Sequence, residues 1–178
     1  MPFEIYIPTT LTFPTYIAIL QTARTWADGY DLKDHARLLA SLAPTVSIDY
    51  TQIVAAWGLK TYSANEFADL WLSAEHLGLT PLATQHLLAT PYFKKVTEEE
   101  IVVQWQQLAS HGRRREPRKE GEEAKEGEEE IVETSDGRSY MEHQYVKVEG
   151  LWKIAKITPS LLYTTGDFMR IRRPEGEA

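Results

Sequence analysis

Residues 139–158, SYMEHQYVKVEGLWKIAKIT, hold two runs of alternating apolar and polar side chains on either side of Glu149-Gly150. An alternation with a period of two residues is typical of a β-strand with one buried face. Gly150 supplies the backbone freedom that a tight turn needs, so the stretch predicts a hairpin of two strands, 139–148 and 151–158. A hairpin makes neighbouring strands antiparallel, and this indicates the class of sheet.

The apolar spacing upstream predicts three helices. A first helix opens on a proline at 14–27 and ends at Asp28-Gly29, and a short one follows at about 33–41. The third has the clearest boundaries, because residues 63–66 (SANE) match a capping box and Gly78 closes the apolar stripe.

The other strands are predicted at 46–50, 84–93 and 101–111. They are linked by hairpin-sized connections and not by crossover helices, which favours an α+β fold over a doubly wound parallel sheet. We expect a curved, mostly antiparallel sheet wrapped against the N-terminal helices, forming a cone with an enclosed pocket.

The composition limits the classes of function. A chain of 178 residues suits one domain spanning 1–178, and its net charge of −7 argues against a nucleic-acid partner. The absence of cysteine excludes a disulfide framework, a thiolate nucleophile and a cysteine-based metal site, while a metal site of histidines alone stays open. We find no signal-peptide pattern and no apolar run of ~18 residues, so we expect a soluble, cytoplasmic or otherwise intracellular protein without a membrane span.

Residues 113–130, RRREPRKEGEEAKEGEEE, are almost entirely charged and contain no aromatic side chain. Such a segment buries too little apolar surface to offset the entropy of ordering it. We therefore predict a charged flexible loop at about 112–137 between two paired strands. The alternative is an interaction tail or a nucleic-acid-binding arm, which the mixture of acidic and basic residues disfavours.

Two histidines fall on strand faces that are expected to point inward. The odd positions of 101–111 form a largely apolar row that ends at His111, and His86 shares a strand face with Leu88. A single histidine on such a face is more often a hydrogen-bonded core residue than a catalyst. Two of them together indicate an acid–base site.

Several segments together resemble the scytalone dehydratases of fungal melanin biosynthesis. They are WADGYDLKD, LAPTVSIDY, TQH, the strand that ends at His111, and DGRSY with YVKVEGLWKIAKITP. The resemblance extends from about residue 26 to 159 with one major length difference, at the charged segment. It implies a cone-shaped α+β barrel related to the nuclear-transport-factor and polyketide-cyclase fold, a homotrimer, and no metal or organic cofactor.

The resemblance also implies the catalytic residues. The two tyrosines that polarise the substrate carbonyl through a bound water fall on Tyr30 and Tyr50, the aspartate on Asp31, and the acid–base histidines on His86 and His111. Taken alone, each tyrosine would be an aromatic residue at the edge of the core. Asp31 alone would be a helix N-cap.

Three further residues are expected to contact the substrate. The pocket serine of the family falls on Ser139, its substrate-binding asparagine falls on Met141, and Trp26 lies in the WADGYDLKD motif. Met141 can line a pocket but has no amide with which to anchor a hydroxyl, so the identity of the substrate stays open. His143 is expected to be packed in the core.

Among the remaining titratable residues, we expect Asp49 to face solvent and Asp34 to compete for the helix N-cap position. His35 and His76 are predicted to be surface residues.

These residue types suit the loss of water from a hydroxylated cyclic ketone. A histidine can remove the proton beside the carbonyl or protonate the leaving hydroxyl, and a tyrosine hydroxyl can donate to the enolate oxygen. We therefore predict a cofactor-independent dehydratase acting on a scytalone-like or larger, anthrone-type polyketide in fungal pigment or secondary-metabolite biosynthesis. The alternatives are a polyketide cyclase or isomerase on the same fold, or a non-catalytic ligand-binding homologue.

Overall fold

The computed structural model describes residues 4–115 and 131–174. The helices in this part of the chain are α1 (Phe13–Asp31), α2 (His35–Ser41), α3 (Ala64–Trp71) and α4 (Phe168–Ile171). The strands are β1 (Leu42–Asp49), β2 (Leu59–Ser63), β3 (Leu82–Leu88), β4 (Tyr92–Val96), β5 (Glu100–Arg114), β6 (Ile131–Val148) and β7 (Leu151–Gly166). The sequence patterns did not predict β2 or α4.

The seven strands form one curved sheet with the order β2-β1-β7-β6-β5-β3, and β4 pairs with β5 beyond the end of β3. The pairing of β1 with β7 is parallel, and the other pairings between described strands are antiparallel. Helix α1 packs across the concave side and contacts both β3 and β7. The predicted α+β class with a mostly antiparallel sheet is confirmed.

The predicted hairpin lies between β6 and β7, where Val148 pairs with Leu151. Glu149 and Gly150 both have positive φ angles, 51° and 81°. This combination is that of a type I′ turn, whose twist matches the twist of the flanking strands. Strand β7 continues to Gly166, eight residues beyond the predicted end, because β6 extends beside it.

Helix α1 does not end at Asp28-Gly29, as predicted, but continues to Asp31. Gly29 serves close packing instead: a Cβ atom there would lie 2.8–2.9 Å from atoms of Leu38 in α2. Glycine therefore allows α1 and α2 to touch, and the longer α1 carries two predicted site residues, Tyr30 and Asp31.

Other predicted boundaries were also wrong: the strand predicted at 46–50 begins at Leu42 and ends at Asp49. Ser63 and Glu66 form the predicted capping box of α3, but the helix ends at Trp71 and the chain continues to Gly78 in turns. The predicted strand 84–93 is two strands, β3 and β4, which pair with different parts of β5. Pro91 lies in the break between them, where its missing N–H does not cost a sheet hydrogen bond.

The predicted loop at 112–137 is too wide at both ends. Residues 112–114 belong to β5 and residues 131–137 belong to β6, with Gly112 paired to Thr134 and Arg113 to Glu133. The local charge pattern could not reveal this, because Arg113 is buried against a distant C-terminal segment. The remaining part of the predicted loop, 116–130, lies outside the described residues.

The core lies between α1 and the concave face of the sheet. Its large members include Trp26, Phe67, Trp105 and Tyr145, each at most 3% exposed. Burying a side chain of this size stabilises the fold by roughly 1.5–3 kcal/mol. Within residues 4–115 and 131–174, no helix is both long enough and apolar enough to cross a membrane.

Candidate active site

A cavity of about 330 Å³ lies on the concave side of the sheet, beneath α4. Five of the predicted site residues line it: Tyr50, His86, His111, Ser139 and Met141. A larger depression of about 650 Å³ beside α4 is lined by Ala74, Glu75, Leu79, Met169, Arg172, Arg173 and Pro174, and none of these is a predicted site residue. The acid–base candidates therefore converge on the smaller cavity.

His86 is held by the carboxylate of Asp31, the last residue of α1. The imidazole Nδ1 donates to Asp31 Oδ1 over 2.7 Å, and the backbone N–H of His86 donates to Oδ2 over 2.8 Å. The Thr84 hydroxyl adds a third hydrogen bond to Oδ1 over 3.2 Å. A carboxylate can only accept here, so Nδ1 carries a proton and Nε2 is the ring atom left for the cavity. In this arrangement Asp31 compensates positive charge on His86.

His111 lies on β5 opposite Ser135 and is held by a neutral group. Its Nδ1 lies 3.2 Å from the Ser135 carbonyl oxygen, which can only accept, so Nδ1 carries the proton and Nε2 has a free lone pair. Burial, with the nearby His86, lowers the pKa of His111 to about 4. His111 is therefore neutral at pH 7, and its ring centroid lies 6.0 Å from that of His86.

The two central strands arrange the cavity wall in rows, because residues directly opposite in an antiparallel pair share a face. From one end to the other, the rows are Trp105 with Met141, Gln107 with Ser139, Ala109 with Gly137, His111 with Ser135, and Arg113 with Glu133. The middle row has the smallest side chains and leaves space between the polar rows on either side of it.

Tyr50 lines the cavity, whereas Tyr30, Asp31 and Trp26 lie behind its wall. Tyr30 is 4% exposed; its ring centroid lies 5.4 Å from that of His86 and 5.0 Å from that of Trp26. Burial raises the pKa of both tyrosines, and the proximity of Tyr50 raises the pKa of Tyr30 further. Both hydroxyls therefore keep their protons and can act as donors.

Ser139 and Met141 both lie on the cavity face of β6, as predicted. The Ser139 hydroxyl donates to Gln107 Oε1 over 3.1 Å, and both side chains are buried. Met141 is 8% exposed and adds only apolar surface. Gln107 was missed as a site residue, although its position as the one polar residue before His111 on the inward row of β5 was a usable signal.

A C-terminal segment covers the His111 side of the cavity. Phe168 of α4 packs its ring 4.6 Å, centroid to centroid, from the ring of His111. The buried Arg113 guanidinium donates to the carbonyl oxygens of Ile171, Arg173 and Pro174. These carbonyl groups belong to the last residue of α4 and to the residues just after it, so Arg113 ties the cover to the strand that carries His111.

Glu133, opposite Arg113 on β6, reinforces this attachment through ion pairs with Arg170 and Arg173 at 3.1 and 2.9 Å. Neither Phe168 nor Arg113 was predicted to contribute to the site, because nothing in the local sequence pattern indicates that residues 168–174 fold back onto β5.

The other titratable residues lie partly as expected. His143 is fully buried and packs its ring 4.6 Å from that of Trp26; burial lowers its pKa to about 3. Asp34 is the N-cap of α2. Asp49 is partly exposed and accepts from the Thr51 backbone N–H and hydroxyl. His76, predicted to be a surface residue, is half-buried and lines the cavity because the chain turns inward after α3.

Within the part of the chain that the structure describes, no group of three or more histidine or acidic side chains is arranged to hold a metal ion.

The sequence profile of the scytalone dehydratase family matches residues 10–177. The chain belongs to the scytalone dehydratase family. It is 52% identical over 176 residues to dehydratase cfoI of Aspergillus candidus, with 99% of each chain covered. It is 31% identical to scytalone dehydratase of Pyricularia oryzae, covering 90% of this chain and 88% of that one.

Solved structures with much lower identity share the fold of this family member. The Kfla4162 protein from Kribbella flavida superposes with a TM-score of 0.67 at 13% identity, covering 89% of this chain and 96% of the other. Hexachlorocyclohexane dehydrochlorinase LinA-type3 from Novosphingobium barchaimii gives a TM-score of 0.61 at 15% identity, covering 87% and 91%. The predicted cone-shaped barrel of the nuclear-transport-factor type is confirmed.

Proposed function

We propose that this member of the scytalone dehydratase family removes water from a hydroxylated cyclic polyketide ketone in fungal pigment or secondary-metabolite biosynthesis. One observation carries the proposal: two histidines that face the same cavity have different hydrogen-bond partners, a carboxylate for His86 and a carbonyl oxygen for His111. Environments that separate two titratable groups in this way assign one as acid and the other as base.

In the proposed reaction, the neutral Nε2 of His111 removes the proton on the carbon next to the ketone carbonyl. The electron pair forms the new carbon–carbon double bond as the hydroxyl group leaves, and His86 Nε2 gives that hydroxyl a proton, so that one water is released. Asp31 compensates the charge of protonated His86 before this transfer. One proton then passes from His111 back to His86 for the next turnover. Proton transfer by a placed side chain contributes ~10² to 10⁴ in rate.

The tyrosines are proposed to stabilise the oxygen on which negative charge develops. Tyr50 lines the cavity and keeps its proton, so its hydroxyl can donate to the enolate oxygen directly or through a water. Tyr30 packs on His86, and Tyr50 lies close enough to raise the pKa of Tyr30, so we propose that Tyr30 acts with Tyr50 and orients the His86 ring. Ser139, Met141 and Trp26 are proposed to shape the substrate-binding end.

A cavity of about 330 Å³ falls at the small end of the ~300–1,000 Å³ range of ligand sites and suits a compact fused-ring ketone. We further propose that the reaction needs no metal or organic cofactor and that the chain assembles as a homotrimer in the cytoplasm. The first two of these proposals rest on the family resemblance, and the third rests on the amino-acid sequence alone.

The polyketide cyclase or isomerase remains the second candidate, because the same two histidines could also form an enolate without expelling water. Product mass distinguishes the candidates. A dehydratase yields a product lighter by one water on a panel of mono-, bi- and tricyclic hydroxyketones, and an isomerase yields no change in mass.

The residue test uses His86→Asn and His111→Asn, with His35→Asn as the control because His35 is paired with Asp69 outside the cavity. We expect each cavity variant to lose at least ~10²-fold in kcat while its circular dichroism spectrum stays that of a folded protein. The control should keep its activity. Near-normal turnover by both cavity variants would refute the proposed function.

A further inference from the structure

The end of the cavity away from His111 carries one hydrogen-bonding pair set among apolar groups. Gln107 and Ser139 form that row, and of the row beyond it, Trp105 with Met141, only the apolar side chain of Met141 lines the cavity. Along β5, Gln107 precedes His111 by four positions, a spacing of ~13 Å in an extended strand. Ala109 and Gly137 lie between them and leave room for rings.

The amide of Gln107 has two polar ends, and the protein occupies only one of them. Oε1 accepts from the Ser139 hydroxyl over 3.1 Å. Among the described residues, no hydrogen bond reaches the other end, Nε2, although the side chain is only 6% exposed and lines the cavity. With the amide flipped, Nε2 would donate to the Ser139 hydroxyl oxygen, and Oε1 would be left to accept a hydrogen bond from a ligand hydroxyl.

An amide N–H that faces a cavity and has no hydrogen-bond partner among the described residues can donate to a ligand oxygen. We propose that the side-chain amide of Gln107, held in place by Ser139, binds an oxygen substituent on the substrate ring farthest from the carbon that loses its hydroxyl. This inference rests on the proposed function and makes Gln107 a specificity-determining residue. The substrate class is then a fused-ring hydroxyketone that carries a carbonyl or hydroxyl oxygen at both ends, with His111 at one end and Gln107 at the other.

The test compares two cyclic hydroxyketones that differ only in the remote oxygen. The wild-type protein should prefer the oxygenated compound in kcat/KM by about 10- to 100-fold, through KM more than kcat, because the amide lies away from the reacting carbon. Gln107→Met keeps the length of the side chain and removes the amide, so it should lose this preference, with a larger decrease in kcat/KM on the oxygenated compound than on the deoxy compound.

Gln106→Met is the matched control, because Gln106 directly precedes Gln107 on β5 and its side chain is exposed on the opposite face of the strand. It should retain the full preference. Ser139→Ala, which frees Oε1 but keeps the amide, should lose only part of it. An equal loss of kcat/KM by Gln107→Met on both ketones would overturn the proposal. A wild-type protein with no preference between the two ketones would also overturn it, and that measurement does not depend on the folding of any variant.

Tryptophan fluorescence gives a second readout, since Trp57 and Trp71 line the cavity. Binding of both ketones without loss of water would refute the proposed dehydration, and Kd values for the same pair would then decide the role of Gln107. If the wild-type protein neither binds nor dehydrates either ketone, the proposed function and the Gln107 inference both fail. Turnover of both ketones with an unaltered preference in Gln107→Met would refute the inference alone.

Discussion

The wall made by α1 and β3 and the wall made by β5 and β6 each place a histidine in the same cavity, but they hold it differently. On the first wall, Asp31 binds both the ring and the backbone of His86. On the second, His111 meets a backbone carbonyl and is covered by Phe168. A carboxylate compensates the positive charge of a protonated imidazole. A neutral carbonyl group in an apolar setting does not, so protonation of the imidazole there costs free energy. The surroundings therefore favour different proposed roles for the two histidines, acid for His86 and base for His111.

Removing the charge from the first wall should have the largest effect on this difference. Asp31→Asn keeps the shape of the side chain but takes away the negative charge and allows an amide N–H to face His86 Nδ1. We expect kcat to fall by about 10²- to 10³-fold with little change in folding, because His86 then starts in the wrong protonation or tautomeric state. Steady-state kinetics on a dehydrated ketone measures the loss.

The control for this variant is Asp34→Asn. Asp34 is the N-cap of α2, and asparagine caps a helix about as well as aspartate, so activity and stability should both stay close to the wild-type values. If Asp31→Asn keeps more than about a tenth of the activity, the charge of Asp31 is not what distinguishes the two walls.

On the second wall, the prediction concerns protonation. The pKa of His111 is lowered to about 4, first by burial and then by His86, so the ring stays mostly neutral at pH 5. A histidine with an ordinary pKa of ~6.5 would be about 97% protonated at that pH, so its neutral, basic form would be about 30-fold less abundant than that of His111. We expect the His111 ring signal in a proton NMR titration, assigned with His111→Asn, to have its midpoint near pH 4.

The same shift affects stability. Because the pKa of folded His111 lies below the unfolded value of ~6.5, its contribution to the free energy of unfolding is fully present above that pH. The contribution is lost as the pH falls from ~6.5 through about 4. A titration midpoint near 6.5 would show that burial on the second wall does not disfavour the charged form of His111.

Removing the cover of the second wall should have a smaller effect. Phe168→Ala removes the ring that packs on His111 and admits water to that end of the cavity. The loss of an aromatic contact and of cover predicts a decrease in kcat/KM of about tenfold. Met169→Ala is the matched control in the same helix, because Met169 is 68% exposed and does not line this cavity. Equal kinetics in the two variants would show that the cover is not needed.

The comparison also explains what the sequence could predict. The inward position of His111 follows from alternation along a strand, which depends only on local spacing, whereas Ser139 was predicted from the family resemblance. The roles of Asp31 and Tyr30 came from the family resemblance, since the pattern alone would have ended α1 at Gly29. The close contact of Gly29 with Leu38 decides that boundary, and such a contact is a property of the folded pair of helices.

The C-terminal segment that covers the cavity could not be predicted from the sequence. Arg113 looks like the start of a charged loop, yet it is 1% exposed and binds three carbonyl oxygens almost sixty residues later in the chain. The same C-terminal segment places Phe168 on His111. Neither contact leaves a periodic signal, so local pattern analysis cannot find them.

The smallest effect is expected where the charged stretch begins after Arg115. Arg114 pairs with Ile131, so the ends of β5 and β6 lie side by side. Replacing 116–130 by Asn-Gly, which favours a tight turn, should keep the Arg113–Glu133 row and leave kcat/KM within about twofold of the wild-type value. Steady-state kinetics and thermal unfolding check this. A loss above about tenfold in a folded variant would assign the charged segment a part in the second wall, and would reopen its alternative interpretation as an interaction segment.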